Sequence, residues 1–157
     1  MQGFARWTVN VESHAPMSAE SLRTFERRFQ NRLADLGHAT DEAVRFIEEN
    51  GVSGKEGYVA NLAIEEMATN ILKYGYDDTS VHEILLRVEV LPEKLLLIIE
   101  DDGHEFNPLN VPEPDINLLA EERTPGGLGI HLVRKLAEEM HYERRDGHNR
   151  LTVAIRR

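Results

Sequence analysis

The longest periodic pattern of hydrophobic and polar positions in this chain runs from Asn61 to Tyr76 and has the spacing of an α-helix. Its apolar side chains recur at helical spacing, so they share one broad helix face. They are Ala60, Ala63, Ile64, Met67, Ala68, Ile71, Leu72 and Tyr74. We therefore predict a helix with one buried face, entered through a loop from Val52 to Gly57.

Shorter periods predict β-strands later in the chain, grouped as two hairpins. The first hairpin pairs Glu83 to Val90 with Lys94 to Glu100, and the second of these strands is apolar almost throughout. Such a strand is typical of the centre of a sheet. The last hairpin pairs Tyr142 to Arg145 with Arg150 to Ile155, around a turn at Asp146-Gly147.

Between the two hairpins, a long loop precedes a second helix. Prolines and acidic residues interrupt every regular pattern from Leu109 to Pro125, leaving at most one helical turn near Ile116 to Glu122. Loops of this length in compact domains are often lids over a site. The glycines that follow open a helix from Ile130 to Met140, whose apolar residues return at helical spacing.

The N-terminal third predicts one strand followed by helical structure. Polar and apolar residues alternate from Arg6 to Glu12, which predicts the strand. After an N-cap at Ser18, apolar residues follow helical spacing until Gly37 provides a stop. They are Leu22, Phe25, Phe29, Leu33 and Leu36. Thr40 caps a further start. The helical segment at about residues 18–50 then ends at Asn50-Gly51. It is either two helices or one kinked helix, and we expect it to serve as scaffold or as a subunit contact.

Composition restricts what the chain can be. With 157 residues, 41% of them hydrophobic, it is long enough for one domain with an ordinary core. A formal net charge of -10 disfavours binding to a nucleic-acid backbone. The absence of cysteine excludes disulfides, thiolate zinc sites and cysteine nucleophiles, and the seven histidines lack metal-ligand spacing such as HExxH. Neither a signal peptide nor an apolar run of membrane length is visible, so we expect a cytoplasmic protein without membrane contact.

The helix from Asn61 also carries a polar stripe along one edge of its apolar face. Glu66, Asn70 and Lys73 stand at i, i+4 and i+7, so their side chains project together. A carboxylate can accept a proton, a carboxamide oxygen can bind a hard cation, and an ammonium can pair with phosphate. The three suit a magnesium-bound phosphate ester, and an ordinary solvated helix face is the alternative.

A second candidate stretch follows directly on the apolar strand, at Asp101, Asp102 and Gly103. Either carboxylate could lie at the bottom of a cleft and accept a hydrogen bond from an adenine amino group. The glycine would let a flat ring approach the backbone. The alternative is an Asp-Gly turn that only closes the strand.

The third candidate stretch is the glycine-rich entry to the helix from Ile130. Gly126, Gly127 and Gly129 lie where free backbone amides and the helix dipole favour an anion such as phosphate. The stretch is neither a Walker sequence nor a GxGxxG fingerprint. A glycine-rich helix entry without a ligand is the alternative.

The order and spacing of these three stretches resemble the N, G1 and G2 boxes of the GHKL ATPases, the class that contains gyrase, MutL and the histidine kinases. More closely, they are similar to the anti-sigma factor serine/threonine kinases of RsbW type. The matching stretches are IEEMATNILKYGY, IEDDGHEFNP and PGGLGIHLVRKLAEEMHYERRDGHNRLTV. The resemblance covers roughly Gly51 to the C-terminus.

The resemblance implies a role for each candidate residue. Glu66 would be the general base, Asn70 the Mg²⁺ ligand and Lys73 a phosphate contact. Asp101 would accept from the adenine amino group, with Gly103 beside it. The glycines that would hold the phosphates of ATP under the lid are Gly126, Gly127 and Gly129.

The fold implied by the resemblance is an α/β two-layer sandwich, the Bergerat fold, with a mixed and mostly antiparallel sheet covered by helices on one face. Residues 1–157 would form a single ATP-binding domain. The implied function is a Mg-ATP-dependent serine/threonine kinase that phosphorylates an STAS-type anti-sigma antagonist, with a sigma factor as a second partner and a homodimer as an assembly to expect.

Two alternatives to the kinase have different requirements. A non-catalytic, ATP-responsive binding module would sequester partners through a conformational change and needs no general base. A histidine kinase catalytic domain needs a phosphoacceptor histidine on a dimerisation helix. The candidate, His38, falls in a predicted glycine turn, which argues against this second alternative.

Overall fold

In the part of the chain that the structure describes, five antiparallel strands form one layer, and three α-helices form the other. The computed structural model describes residues 22–115 and 127–157. The strands, in the sheet order β1-β2-β3-β5-β4, are β1 (Arg23–Gln30), β2 (Glu83–Val90), β3 (Lys94–Asp101), β4 (Glu139–Arg145) and β5 (His148–Arg156). The helices are α1 (Leu33–Glu49), α2 (Gly54–Tyr74) and α3 (Gly127–Leu136). The predicted two-layer α/β class is confirmed, and every pairing between the described strands is antiparallel.

The core lies between the helices and one face of the sheet. Alternate residues of the three central strands point to this face and are buried. They are Ile84, Leu86 and Val88 on β2, Leu95, Leu97 and Ile99 on β3, and Leu151, Val153 and Ile155 on β5. The apolar face of α2 packs against them, with Ile64 fully buried and Met67 only 4% exposed. The predicted buried face of this helix is therefore confirmed.

The predicted helical segment at 18–50 is wrong in its first half, because Arg23–Gln30 form the edge strand β1. Phe25 and Phe29 stand at i and i+4, a spacing that shares one face of a helix and equally one face of a strand. In the structure both rings contact the core, opposite Val88 and Ile84 of β2. Periodicity alone does not separate the two interpretations.

The second half of that segment is one continuous helix, α1. Gly37 lies inside the helix and does not end it, and Thr40 is a buried member of its inner face rather than an N-cap. His38 is exposed on the same helix and is not in a turn. Because α1 packs against β1, β2 and α2, it belongs to the domain core and is not a separate dimerisation helix. Its predicted end is confirmed, since Gly51 has a φ of 77°.

Other boundaries differ from the prediction by part of an element. The helix α2 begins at Gly54, so the predicted loop from Val52 to Gly57 is shorter. The helix α3 ends at Leu136, and Met140 is in β4. Both predicted hairpins are confirmed, and the turn residues Asp146 and Gly147 have φ values of 51° and 81°, as a tight hairpin turn requires.

Several predictions fall on residues that the structure does not describe. These are the strand from Arg6 to Glu12, the helical turn near Ile116 to Glu122, Gly126 and most of the predicted lid. Among the described helices, none combines the length and the apolar character needed to cross a bilayer.

Candidate functional site

A cavity of about 580 Å³ opens between α2, the end of β3 and the loop that follows β3. This volume suits a ligand of nucleotide size, and the walls are mainly apolar with a few polar groups. The lining includes Met67, Asn70, Ile71, Ile99, Asp101, Phe106, Val111, Gly127, Ile130, Tyr142, Asn149 and Leu151. All three candidate stretches of the sequence therefore contribute to one cavity, through Asn70, Asp101 and Gly127.

Asn70 is a buried polar residue in the cavity wall, with 8% of its surface exposed. Its Nδ2 donates to the backbone oxygen of Glu66, one turn earlier in α2, at 2.8 Å. Because this bond uses the amide nitrogen, the carboxamide oxygen is left for a ligand such as a hard cation. No group of three or more His, Asp or Glu side chains in the described residues could hold a metal. A cation at Asn70 would thus take its other ligands from bound phosphate and water, as Mg²⁺ commonly does.

The other two residues of the α2 stripe lie outside the cavity wall. Glu66 is half-buried, and its carboxylate lies directly against Gly129 in the first turn of α3. Lys73 is exposed near the end of α2, and Glu65 is exposed beside Glu66. The structure therefore brings Glu66 next to the glycine-rich stretch, whereas a phosphate contact by Lys73 stays a prediction.

Of the two adjacent carboxylates, Asp101, the last residue of β3, lines the cavity and is 5% exposed; Glu105, Glu113 and Asp115 of the following loop line it as well. Its Oδ1 accepts from the backbone nitrogen of Gly103 at 2.8 Å and from Nδ2 of Asn149 at 2.9 Å. Burial raises the pKa of the Asp101 carboxyl, while these two hydrogen bonds lower it. With Oδ1 already bonded twice, Oδ2 is the atom available to a ligand amino group.

Gly103 does not line the cavity, and a neighbouring backbone leaves no room for a side chain there. A Cβ at this position would lie 2.6 Å from the carbonyl oxygen of Gly75, the C-cap residue of α2. The same carbonyl accepts from the backbone nitrogen of His104 at 2.8 Å. The turn after β3 is therefore fastened to the end of the helix that carries Asn70, a role that the sequence did not suggest.

Asp102 belongs to a different cluster and does not line the cavity, so Asp101 is the better candidate of the two. His82 Nδ1 lies 3.2 Å from Oδ1 of Asp102, and its Nε2 lies 2.9 Å from Oδ1 of Asp78. The imidazole also stacks on Tyr76, with the ring centroids 3.9 Å apart. These contacts join the loop between α2 and β2 to the turn that carries Asp101.

Three further residues at the site were not found from the sequence, and all lie on the β4–β5 hairpin. Asn149 is 6% exposed and donates to Asp101 and, at 2.8 Å, to the backbone oxygen of His104. Its own Oδ1 accepts from the hydroxyl of Tyr142 and from Nη1 of Arg144, each at 2.7 Å. One signal was present: Asn149 is a polar residue on the face of β5 that otherwise carries Leu151, Val153 and Ile155.

The described glycines of the third stretch form the first turn of α3. Gly127 begins the helix and lines the cavity, and Gly129 contacts Glu66. The first backbone amides of a helix have no partner within it and favour an anion. The mouth of α3 is thus a suitable place for phosphate, at the same cavity as Asn70.

The chain resembles known proteins in sequence and in fold. Residues 29–155 match the histidine kinase-like ATPase domain family. Serine/threonine-protein kinase BtrW of Bordetella bronchiseptica is 27% identical over 64% of this chain and 71% of its own length. Serine-protein kinase RsbW of Bacillus velezensis is 26% identical over 68% of this chain and 71% of its own length.

A solved structure supports the same fold. The crystal structure of the RsbU and RsbW domains of Rv1364c from Mycobacterium tuberculosis superposes with a TM-score of 0.59 and 12% identity. The match covers 85% of this chain and 32% of that longer chain. Since the family match spans most of the sequence and the fold agrees, the chain belongs to the histidine kinase-like ATPase domain family.

Proposed function

We infer that this chain is a single ATP-binding domain that acts as a Mg-ATP-dependent serine/threonine protein kinase. The observation that carries this function is the one cavity that joins Asp101, Asn70 and the mouth of α3. A base-binding carboxylate, a cation-binding amide and an anion-binding helix end are the three groups that a magnesium-bound nucleotide needs. The names of the two similar kinases support the same function.

The base end of the cavity is built around Asp101. Oδ2 of Asp101 accepts the hydrogen bond of the adenine amino group, because Oδ1 is held by Gly103 and Asn149. Apolar side chains such as Ile99 and Leu151 cover the rings and exclude water from this hydrogen bond.

The phosphate end lies between α2 and α3. The oxygen of Asn70 would hold Mg²⁺, and the amides of Gly126, Gly127 and Gly129 would hold the phosphate oxygens, with Lys73 adding positive charge from the solvent side. When bound, Mg²⁺ would neutralise negative charge on the phosphates. No part of this arrangement requires a metal cage made by the protein alone.

Glu66 is the general base of the proposed reaction. Its carboxylate accepts the proton of the acceptor serine or threonine hydroxyl while the hydroxyl oxygen bonds to the γ-phosphorus. The bond from that phosphorus to the bridging oxygen breaks, and ADP leaves. Glu66 suits this role because it is half-buried beside the mouth of α3, whereas Glu65 is exposed.

The proposed acceptor is an STAS-type anti-sigma antagonist, and a sigma factor is the proposed second partner. This part of the proposal rests on similarity to the RsbW and BtrW kinases. The same proposal includes a cytoplasmic location, regulation of transcription through protein partners, and assembly as a homodimer. A net charge of -10 agrees with a function that does not involve direct binding to nucleic acid.

The test compares Glu66→Gln with the matched control Glu65→Gln. Calorimetry with Mg-ATP should give similar affinity for the parent and both variants, since neither carboxylate lines the cavity. Transfer of radiolabelled phosphate to the antagonist should fall by on the order of 10²- to 10⁴-fold in Glu66→Gln and stay near the parent rate in Glu65→Gln.

Each contrary result removes a specific part of the proposal. If the folded parent gives no heat with millimolar ATP, the nucleotide site is wrong. If Glu66→Gln transfers phosphate as fast as the parent, the assignment of the base is wrong. If the parent binds ATP and transfers phosphate to no acceptor, the non-catalytic binding module becomes the better function.

A further inference from the structure

Gly129 occupies a position in α3 where a side chain has no room. A Cβ built on its backbone would lie 1.9 Å from Oε2 of Glu66, 2.1 Å from its Cδ and 2.7 Å from its Cγ. All three atoms belong to the carboxylate end of one side chain. The space that glycine leaves open at 129 is therefore filled by the Glu66 carboxylate.

This restriction is specific to Gly129 among the described glycines of the stretch. A Cβ on Gly127, in the same first turn of α3, would meet no heavy atom of the described residues within 4 Å. The backbone of Gly127 lines the cavity, so its role concerns the ligand. Gly129 differs because its neighbour is a side chain of the protein itself.

The two helices cannot easily separate to make room for a larger residue. Immediately after Gly129, Ile130 is 2% exposed, and Val133 on the same face of α3 is fully buried. Both belong to the hydrophobic core that also contains Met67 of α2. Moving α3 outward would open this core, whereas rotating the flexible Glu66 side chain would not. A side chain at 129 should therefore displace the carboxylate and leave the helices in place.

We propose that Gly129 is a positioning residue, which acts by giving the Glu66 carboxylate its place against the first turn of α3. This inference rests on the proposed function, in which Glu66 accepts the proton of the acceptor hydroxyl. It assigns Gly129 a role separate from phosphate binding. Misplacing a reacting group by about 1 Å can lower a rate by about 10²-fold, so the glycine controls the rate of transfer through the geometry of Glu66.

The first test is a crystal structure of Gly129→Ala. We expect the Glu66 carboxylate to rotate away from α3 while the backbones of α2 and α3 superpose on those of the parent. In Gly127→Ala the carboxylate should stay in place, whatever that variant does to nucleotide affinity. A displaced α3 with an unmoved Glu66 in Gly129→Ala would overturn the proposal. This result can be read even if the parent transfers no phosphate, so it stands apart from the test of the proposed function.

The second test is a double-mutant cycle with Glu66→Gln, measured as phosphate transfer to the antagonist and as Mg-ATP affinity. Gly129→Ala alone should lower transfer by on the order of 10- to 10²-fold with a much smaller change in affinity. In the Glu66→Gln background, Gly129→Ala should cause no further loss of phosphate transfer, because the general base is already absent. If the two losses multiply, or if affinity falls as much as transfer, Gly129 acts on the phosphates and not through Glu66.

A matched control accounts for the effect of replacing any helical glycine by alanine. Gly37 lies inside α1 and does not line the cavity, and a Cβ there would meet no heavy atom within 4 Å among residues 22–115 and 127–157. Gly37→Ala should change thermal stability in the direction that helix propensity predicts and leave transfer at the parent rate. A loss of transfer in Gly37→Ala would show that helix stiffening alone explains the effect at 129.

Discussion

Asp101 is a carboxylate that the fold buries almost completely, at 5% exposure. Burial raises the pKa of its carboxyl, so the folded state binds the proton more tightly than the unfolded chain, whose value is near 3.8. The free energy of unfolding is thus greater with Asp101 protonated, and this difference is lost as pH rises through the raised pKa of the folded state. At neutral pH, the charge that would serve a ligand opposes folding.

Asp101→Asn should therefore separate stability from binding. An asparagine oxygen can still accept from Gly103 and Asn149, and no charge is buried, so we expect an equal or higher melting temperature at neutral pH. Affinity for ATP should fall more than affinity for inorganic triphosphate, since the lost hydrogen-bond acceptor is the one proposed for the adenine base. Thermal denaturation and calorimetry measure the two effects.

Asp102→Asn is the control for this prediction, because Asp102 does not line the cavity. It should keep the parent affinity for ATP. The prediction fails if Asp101→Asn binds ATP as the parent does, or if both substitutions weaken binding equally.

His82 should make stability depend on pH in a defined window. The hydrogen bond to Asp78, and then the contact with Asp102, raise the pKa of His82, while His82 lowers the pKa of Asp78. The contribution of His82 to the free energy of unfolding is present in full below its unfolded-state pKa of 6.5. It is lost as pH rises through the raised pKa of the folded state. The contribution of Asp78 to the free energy of unfolding is present above its unfolded-state pKa of 3.8. It is lost as pH falls through the lowered pKa of the folded state.

We therefore expect His82→Gln to lower the melting temperature most between about pH 4 and pH 6.5, and least in alkaline solution. Added salt should reduce the difference, because Asp78 is exposed. His141→Gln, at an exposed position of β4, is the matched control for replacing a histidine by glutamine and should have a melting temperature near that of the parent. A His82→Gln effect that is constant from acid to alkaline pH would contradict the assignment and point to the stacking on Tyr76 instead.

At the scale of elements, side chains of the β4–β5 hairpin hold the turn after β3 in place through hydrogen bonds. Asn149 uses both its amide hydrogens and its oxygen, and Arg144 also donates to the backbone oxygen of Gly103 at 3.1 Å. A buried network of this kind is stable only while each member has its partner. The hairpin therefore determines where the Asp101 carboxylate lies.

Asn149→Ala should lower the free energy of unfolding by about 1–3 kcal/mol, because Tyr142, Arg144 and the carbonyl of His104 lose a buried partner. ATP affinity should also fall, since Asp101 keeps only Gly103 as a donor. Tyr142→Phe is the graded comparison: it removes one donor while Arg144 continues to hold Asn149, so both losses should be smaller. Urea denaturation with calorimetry measures them. Equal losses in the two variants would show that Asn149 does not position Asp101.

Local signals in the sequence predicted some elements well and others not at all. The turn at Asp146-Gly147 and the apolar run of β3 depend on nearby residues, so their patterns were sufficient. The strand β1 was missed because the spacing of Phe25 and Phe29 fits two periods, and its pairing with β2 decides between them. Here tertiary contact overrides the local pattern.

At the scale of the whole molecule, the same distinction applies to the candidate site. The stretches around Asn70, Asp101 and Gly127 were predicted as candidates, and they meet at one cavity. The partner of Asp101 was missed because Asn149 becomes its neighbour only through the pairing of β3 with β5, which no local pattern specifies. Contacts between distant parts of the chain complete the site.

The hydrogen bond between Asp101 and Asn149 spans 48 positions of the sequence, and this separation has a consequence for synthesis of the protein. Long-range strand pairing forms late, after the entropy of closing the intervening loop has been overcome. A nascent chain that has emerged only as far as β3 already has Asn70 and Asp101 but lacks the side chain that orients the carboxylate. Nucleotide recognition should thus arise abruptly, when β5 leaves the ribosome and docks, and ATP should stabilise only chains translated through that strand.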